Sequence, residues 1–299
     1  MKNKLLVILG PTAIGKTKLA IDIAKTFDAE IISADSRQFY KELKIGVAAP
    51  TDEELKVVKH HFVGNLSINE YYNVSKFENE VLEFLNGYFQ NKRYAVMASG
   101  SGLYIDAVCK GIDELPDPDD NLRRQLKKTL KNNGLESLLK QLEQLDPEYY
   151  KIVDLNNPNR IMRALEVCLK TGKTYTSLRN NKPKKRDFEI IKIGLNRPRE
   201  ELFEIIENRV DKMIEQGLPD EVKGLWKYKN LNALNTVGYK EIFDYFDGNC
   251  THDQAIEKIK TNTRRYAKRQ LTWFKKDKSI HWFHPDEKEK IVEFVKNSL

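Results

Sequence analysis

The sequence predicts an α/β fold, a parallel sheet flanked by helices with a helical insertion domain. Three observations point there. Leu5 to Leu9 is a short continuous apolar run, the mark of a strand buried on both faces. A Gly-rich turn and a helical apolar stripe follow it directly. The stretch from Asp113 to Arg186, by contrast, is charged and amphipathic and holds no convincing strand.

In chain order, a helix is expected from Lys16, with Leu19, Ala20, Ile23 and Ala24 as its inner stripe, and Glu30 to Ala34 reads as a second strand. The opening is therefore a β-α-β unit. A helix over Phe77 to Tyr88 and a strand over Tyr94 to Ala98 come next. Leu115 to Asp120, rich in Pro and Asp, then marks a turn with an acidic helix start. We place the insertion at 113–186, leaving 1–112 and 187–299 as the core. Phe188 to Leu195 and Ile280 to Phe283 are further strands, and Leu202 to Gln216 a further helix. Near the C-terminus Ile256, Ile259, Tyr266 and Trp273 partly follow a helical stripe, expected to be core.

With 299 residues, 40% of them hydrophobic, the chain is long enough to bury one large or two coupled cores, which excludes general disorder. No apolar run approaches the roughly 20 residues of a membrane span. After Met1 to Lys4 the apolar run is cut by Gly10-Pro11-Thr12 with no cleavage site beyond, unlike an export signal. Cys109, Cys168 and Cys250 are odd in number and far apart, so no disulfide framework or zinc site is suggested and a reducing cytoplasm is expected.

The formal charge of +7 is concentrated. From Lys258 to Lys278 there are nine basic residues against one acid, Asp277, which leaves the rest of the chain near neutrality. Lys182 to Arg186 forms a second basic cluster. With Tyr266, Trp273 and Phe274 interleaved in the first, the pair suggests a polyanion partner.

Gly10, Pro11, Thr12, Ala13, Ile14, Gly15, Lys16 and Thr17 match G-x-x-x-x-G-K-[ST] between a strand and a helix. Such a loop aims backbone N–H groups inward, adds the helix dipole and the Lys16 ammonium, and so cradles two linked phosphates, with the Thr17 hydroxyl placed for Mg²⁺. The core is thus expected to be P-loop NTPase-like. The cradle implies a diphosphate but not ATP in particular. A motor-type ATPase would carry a metal-binding Asp after a further strand, whereas Tyr94 to Ala98 runs into Ser99-Gly100-Ser101-Gly102. The carboxylate is instead Asp35, expected at the carboxyl end of its strand and facing the same crevice. It suits a base acting on an acceptor, as in a small-molecule kinase or another group transferase; a helix cap with Ser36 is the alternative. His60-His61 has no third ligand nearby and reads as structural. Arg160, Arg163 and Glu166 are spaced for an intrahelical ion pair as well as for RNA contact.

Gly10 to Thr17, Ile31 to Tyr40, His60 to Phe62, Gly100 to Tyr104, Asn159 to Glu166, Val237 to Glu241 and Thr263 to Phe274 form an ordered series. By these motifs, over nearly its whole length, the chain resembles the bacterial tRNA dimethylallyltransferases (tRNA isopentenyltransferases). The resemblance implies transfer of a dimethylallyl group from dimethylallyl diphosphate to N6 of the adenosine 3′ to the anticodon. It implies that Lys16 and Thr17 serve the diphosphate and Mg²⁺, that Asp35 is the base, and that Ser101 stands near the reacting amine. The target base must be flipped out of its stack. Contacts with the tRNA anticodon stem-loop would come from Asp35, Ser36, Arg37, Gln38, Ser101 and Arg123. Asn159, Arg160, Ile161, Met162 and Arg163 would add to them, as would Asn235, Thr236, Val237, Gly238, Tyr239 and Lys240. Lys258 to Lys278 would grip phosphates or build the core behind the pocket. A cytoplasmic monomer with no membrane partner is expected. Two departures from the family pattern are Gly46-Val47-Ala48-Ala49-Pro50, where Gly-Thr-Ala-Lys-Pro is usual, and Ser99, where Gly is usual. A P-loop small-molecule or nucleotide kinase, a non-catalytic RNA-binding protein and an adenylate prenyltransferase are the alternatives.

Overall fold

The computed structural model describes residues 2–180 and 182–298; Met1, Asn181 and Leu299, which fall within the domain ranges above, lie outside the described residues. Two compact units are present, Met1–Cys109 with Lys185–Leu299, and Lys110–Lys184.

The first unit opens with β1 (Lys4–Leu9), α1 (Lys16–Thr26) and β2 (Ile31–Ser33). It continues through α2 (Asp52–Val57), β3 (His60–His61), α3 (Val74–Tyr88), β4 (Tyr94–Ser99) and α4 (Gly102–Lys110). The second unit holds α5 (Asp120–Leu145), α6 (Pro147–Ile152), α7 (Pro158–Thr171) and α8 (Tyr175–Leu178). The chain then returns to the first unit as β5 (Glu189–Leu195), α9 (Arg199–Glu215), α10 (Leu218–Gly224), α11 (Tyr239–Phe246), α12 (His252–Phe274), β6 (Ile280–Phe283) and α13 (Lys288–Asn297).

The six strands form one parallel sheet in the order β3-β2-β4-β1-β5-β6. Strand β1 is central and wholly buried, which explains its unbroken apolar run. Leu6 and Ile8 pack on one face with Leu19, Ile23 and Ile206; Leu5, Val7 and Leu9 pack on the other with Phe77, Val81 and Ile105. Each such side chain contributes about 2 kcal/mol of burial. Because the chain leaves β1 toward β2 on one side, whereas it leaves the neighbouring β4 toward β5 on the other, the crevice at the carboxyl ends of β1 and β4 is a topological switch point. A third cluster, including Tyr40, Leu43, Val210, Leu218, Tyr239 and Ile259, supports the segments that rise above that crevice.

His60 and His61 form the edge strand β3, pairing with Ile31 and Ile32. In the second unit Leu126, Leu138, Leu142, Ile161, Ala164 and Leu165 make a separate core. Its long helix α5 is broken at Gly134, whose φ of +76° only glycine adopts readily. Among the described residues no helix is long and apolar enough to cross a membrane.

Candidate active site

The loop after β1 is built around two glycines. At Gly10 a Cβ would lie 2.6 Å from the Leu195 carbonyl oxygen, so only glycine lets the chain pass β5. Gly15, with φ +96°, starts α1. Thr12 to Thr17 line a cavity of about 320 Å³ with Ser33, Asp35, Gln38 and Arg209. Gly10 and Pro11, expected among the ligand-binding residues, line neither this cavity nor the next. They set the path of the loop instead, and the Pro11 carbonyl accepts the Lys16 ammonium at 2.6 Å.

Lys16 is the most perturbed cation of the site. Burial in the cradle and the neighbouring Arg209 charge pull its pKa down to about 7, against which Asp35 pulls weakly upward. Arg209, on α9, is itself lowered by burial and forms no ion pair among the described residues. Two like charges facing one cavity, with Asp35 as the carboxylate that acts on both, are the electrostatics of an anion site.

A second cavity, also of about 320 Å³, adjoins the first and is lined by Arg37, Asn235, Thr236, Val237, Gly238 and Lys240, among others. Thr12, Asp35, Val47, Arg209 and Tyr266 line both. Asp35 therefore sits at the junction. Its Oδ1 accepts the Arg37 backbone N–H at 2.9 Å, so it caps a turn; no helix starts there, as the alternative reading would need, and the carboxylate lines the crevice.

The other expected site residues divide by environment. Ser101 is 9% exposed and lines neither cavity. Its hydroxyl interacts with the Tyr266 phenol and accepts the Ser36 N–H at 3.4 Å. Arg37 is not a free cation. Its guanidinium donates to the carbonyls of Asn232, Ala233 and Asn235 at 2.8, 3.2 and 3.3 Å, tying its own turn to the 232–235 segment. Gln38 donates to the Val47 and Ala48 carbonyls at 3.3 and 2.9 Å. Tyr239 is fully buried and cannot present its side chain to RNA, because its ring fills the third core cluster.

In the second unit Ile161 is likewise fully buried and is a packing residue, with Met162 partly buried against the same core. Asn159 and Arg160 are exposed at the start of α7. Arg123 and Arg163 converge on the buried Glu166 carboxylate at 2.9 and 2.7 Å, so the ion pair is made, and Glu166 also accepts the Asp119 N–H at 2.7 Å.

The basic stretch on α12 has two faces. Ile259, Ala267, Gln270 and Phe274 are buried, Lys260 pairs with Asp211 and Arg264 with Glu207. Lys258, Arg265, Lys268 and Arg269 remain exposed. Trp273, expected in the core, is 39% exposed and donates its indole N–H to Asp106 at 2.8 Å. In the other cluster Arg186 is spent internally, donating to Glu78 and to the Ala107 and Val108 carbonyls. His60 lines the cradle, and His61 pairs with Glu30.

Two groups here escape sequence reasoning. Arg209 falls at helical spacing within the stripe Leu202, Ile206, Met213; a cation in an apolar stripe is the signal that could have found it. Gln270 lies likewise between Ala267 and Phe274. It accepts the Thr12 N–H at 2.8 Å and donates to the Gly100 carbonyl at 2.9 Å.

The model of the family described as IPP transferase matches residues 38–277. A tRNA dimethylallyltransferase 2 of Azobacteroides pseudotrichonymphae is 54% identical over 284 residues, covering 95% of this chain and 92% of its own. A tRNA dimethylallyltransferase 1 of Bacteroides thetaiotaomicron is 50% identical, covering 98% and 95%. Among solved structures, a tRNA isopentenylpyrophosphate transferase of Bacillus halodurans aligns with a TM-score of 0.72 at 34% identity, covering 99% of this chain and 96% of its own. A eukaryotic dimethylallyltransferase acting on tRNA shares the fold, with a TM-score of 0.81 at 24% identity over 99% of this chain and 80% of its own. With the phosphate loop, the ordered motifs and this full-length similarity together, the chain belongs to the IPP transferase family.

Proposed function

We propose that this chain transfers the dimethylallyl group of dimethylallyl diphosphate to N6 of the adenosine 3′ to the anticodon of tRNA, acting as a cytoplasmic monomer. The observation that carries the reading is the arrangement of charge: two basic side chains, Lys16 and Arg209, lining the phosphate cradle, and the Asp35 carboxylate where that cradle meets a second cavity.

In this reading the diphosphate lies on the Ala13 to Thr17 backbone, with the Thr12 N–H already taken by Gln270. Lys16 and Arg209 neutralise the charge that grows on the leaving oxygen as the allylic C–O bond breaks. The oxygen donors present suit Mg²⁺: it would be held by the Thr17 hydroxyl and the diphosphate itself, supplying further neutralisation of that leaving group. The flipped adenine occupies the second cavity with its amino group toward Asp35, which accepts the proton as the N–C bond forms. Ser101 acts through Tyr266, orienting the wall of that cavity. Ser36, Arg37, Gln38 and Asn235 to Lys240 shape the acceptor side, while Arg123, Asn159, Arg160 and Arg163 contact the stem-loop from the insertion. Ile161 and Tyr239 contribute by packing.

The test is direct. The purified protein with Mg²⁺, dimethylallyl diphosphate and an unmodified tRNA carrying adenosine at that position should yield N6-(dimethylallyl)adenosine on nucleoside mass spectrometry. No product with a competent tRNA would contradict the reading, and product on free AMP in preference to tRNA would favour an adenylate prenyltransferase.

A further inference from the structure

Loop 44–50 forms a wall of the candidate site. Ala48 and Pro50 line both the phosphate cradle and a wider outer depression of about 860 Å³, and Val47 lines the cradle and the second cavity. The wall is thin and has no regular structure. Ala48 N–H to the Ile45 carbonyl and Ala49 N–H to the Lys44 carbonyl, at 2.9 and 3.0 Å, close it, and Ala48 sits at φ +44°, where an alanine costs about 1 kcal/mol. Such a loop persists only if its surroundings hold it.

Glu221, on α10, does so. Its carboxylate accepts three successive backbone N–H groups, those of Lys44 and Ile45 on Oε2 at 3.1 and 2.8 Å and that of Gly46 on Oε1 at 3.1 Å. The Tyr239 hydroxyl donates to the same Oε1 at 2.5 Å. The Tyr239 ring covers Gly46 so closely that a Cβ there would lie 2.5 Å from its Cε2. Burial and the adjacent carboxylate push the Tyr239 pKa well above that of a free phenol, which keeps the hydroxyl a donor. From the opposite side Gln38 grips the Val47 and Ala48 carbonyls.

We propose that Glu221 is a positioning residue that keeps this wall closed, so that the electron-poor allylic carbon is captured by the adenine amine and not by water. The inference rests on the prenyl-transfer reading above. In the reaction it suppresses, the C–O bond breaks with its electron pair going to diphosphate, a water oxygen bonds to the allylic carbon, and that water releases a proton. The products are dimethylallyl alcohol, diphosphate and a proton.

Glu221→Gln replaces an acceptor by an amide nitrogen inside a ring of donors; Tyr239→Phe removes only the phenol bond and keeps the ring. Each folded variant and the parent protein are supplied with Mg²⁺, dimethylallyl diphosphate and tRNA, and diphosphate released is counted against prenylated adenosine formed. The parent should give one for one. Glu221→Gln should raise the ratio about twofold or more, with a matching excess of dimethylallyl alcohol and little change in KM for tRNA, and Tyr239→Phe should shift it the same way by less. A ratio of one in every variant that folds, whatever its rate, overturns the proposal; if Glu221→Gln does not fold, Tyr239→Phe decides alone. Absence of prenylated tRNA from the parent protein would instead strike the reading on which this one rests.

Discussion

Gln270 accepts the backbone N–H of Thr12 at 2.8 Å, so α12 holds the second residue after Gly10 in the phosphate loop from 258 positions away. The same side chain reaches the Gly100 carbonyl and is 6% exposed. Gln270→Ala leaves two backbone groups without partners, a cost of about 1–3 kcal/mol. A lowered melting temperature and a rise in KM for dimethylallyl diphosphate are expected together, measured by calorimetry and steady-state kinetics.

Burial in the cradle, and after it the Arg209 charge, hold the Lys16 pKa down. A bound diphosphate favours the protonated ammonium, so it raises the Lys16 pKa from about 7. Diphosphate binding above neutral pH should therefore take up a proton, and affinity should fall as pH rises above about 7. Arg209→Ala removes one ligand for the anion but also the repulsion, so its affinity should be lower overall and its pH-dependent fall displaced to higher pH. Titration calorimetry with inorganic diphosphate in buffers of different ionisation enthalpy reads both effects. No proton uptake at pH 8 would contradict the assignment.

The exposed and the paired cations of α12 should separate in a salt titration. Neutralising Lys268 and Arg269 should reduce the slope of log K for tRNA against log salt by about 2 at most. Lys260→Gln, which loses the pair with Asp211 at 2.8 Å, should leave the slope unchanged. Filter binding across a salt series makes the comparison.

In the insertion, Glu166 is 1% exposed and gathers Arg123, Arg163 and the Asp119 N–H. Glu166→Ala strands two cations, one of them buried enough to matter, at a cost of about 3 kcal/mol. Urea unfolding should show the loss, and Glu166→Gln, which keeps one acceptor, should lose less.

The sheet was legible where burial on both faces writes an apolar run into the chain, as at Leu5 to Leu9 and Tyr94 to Ala98. The strand at His60 and His61 was not, since an edge pair of two residues needs no such run. The break at Gly134 was hidden inside a charged helical pattern whose apolar residues, among them Leu126 and Leu138, continue on both sides of it. The phosphate loop was legible because its chemistry is local: a helix terminus, glycines and a lysine at fixed spacing. Arg209, Gln270 and Glu221 were not, because each acts on a loop remote in sequence, and only the folded sheet brings them together. Arg37, Ser101 and Tyr239 show the reverse. Motif membership assigns them to RNA contact, whereas their hydrogen bonds and burial add a role as supports of the site, and Arg37 also lines the second cavity.

The proton transfer turns on Asp35 at the junction of the two cavities. Asp35→Asn keeps an oxygen for the Arg37 N–H and removes the base, so single-turnover prenylation, followed beside tRNA affinity in the same variant, isolates the proton transfer. A rate loss of about 10²–10⁴-fold with tRNA affinity nearly unchanged is expected. A rate within a few-fold of the parent, or a loss of tRNA binding as large as the loss of rate, would contradict that role of Asp35.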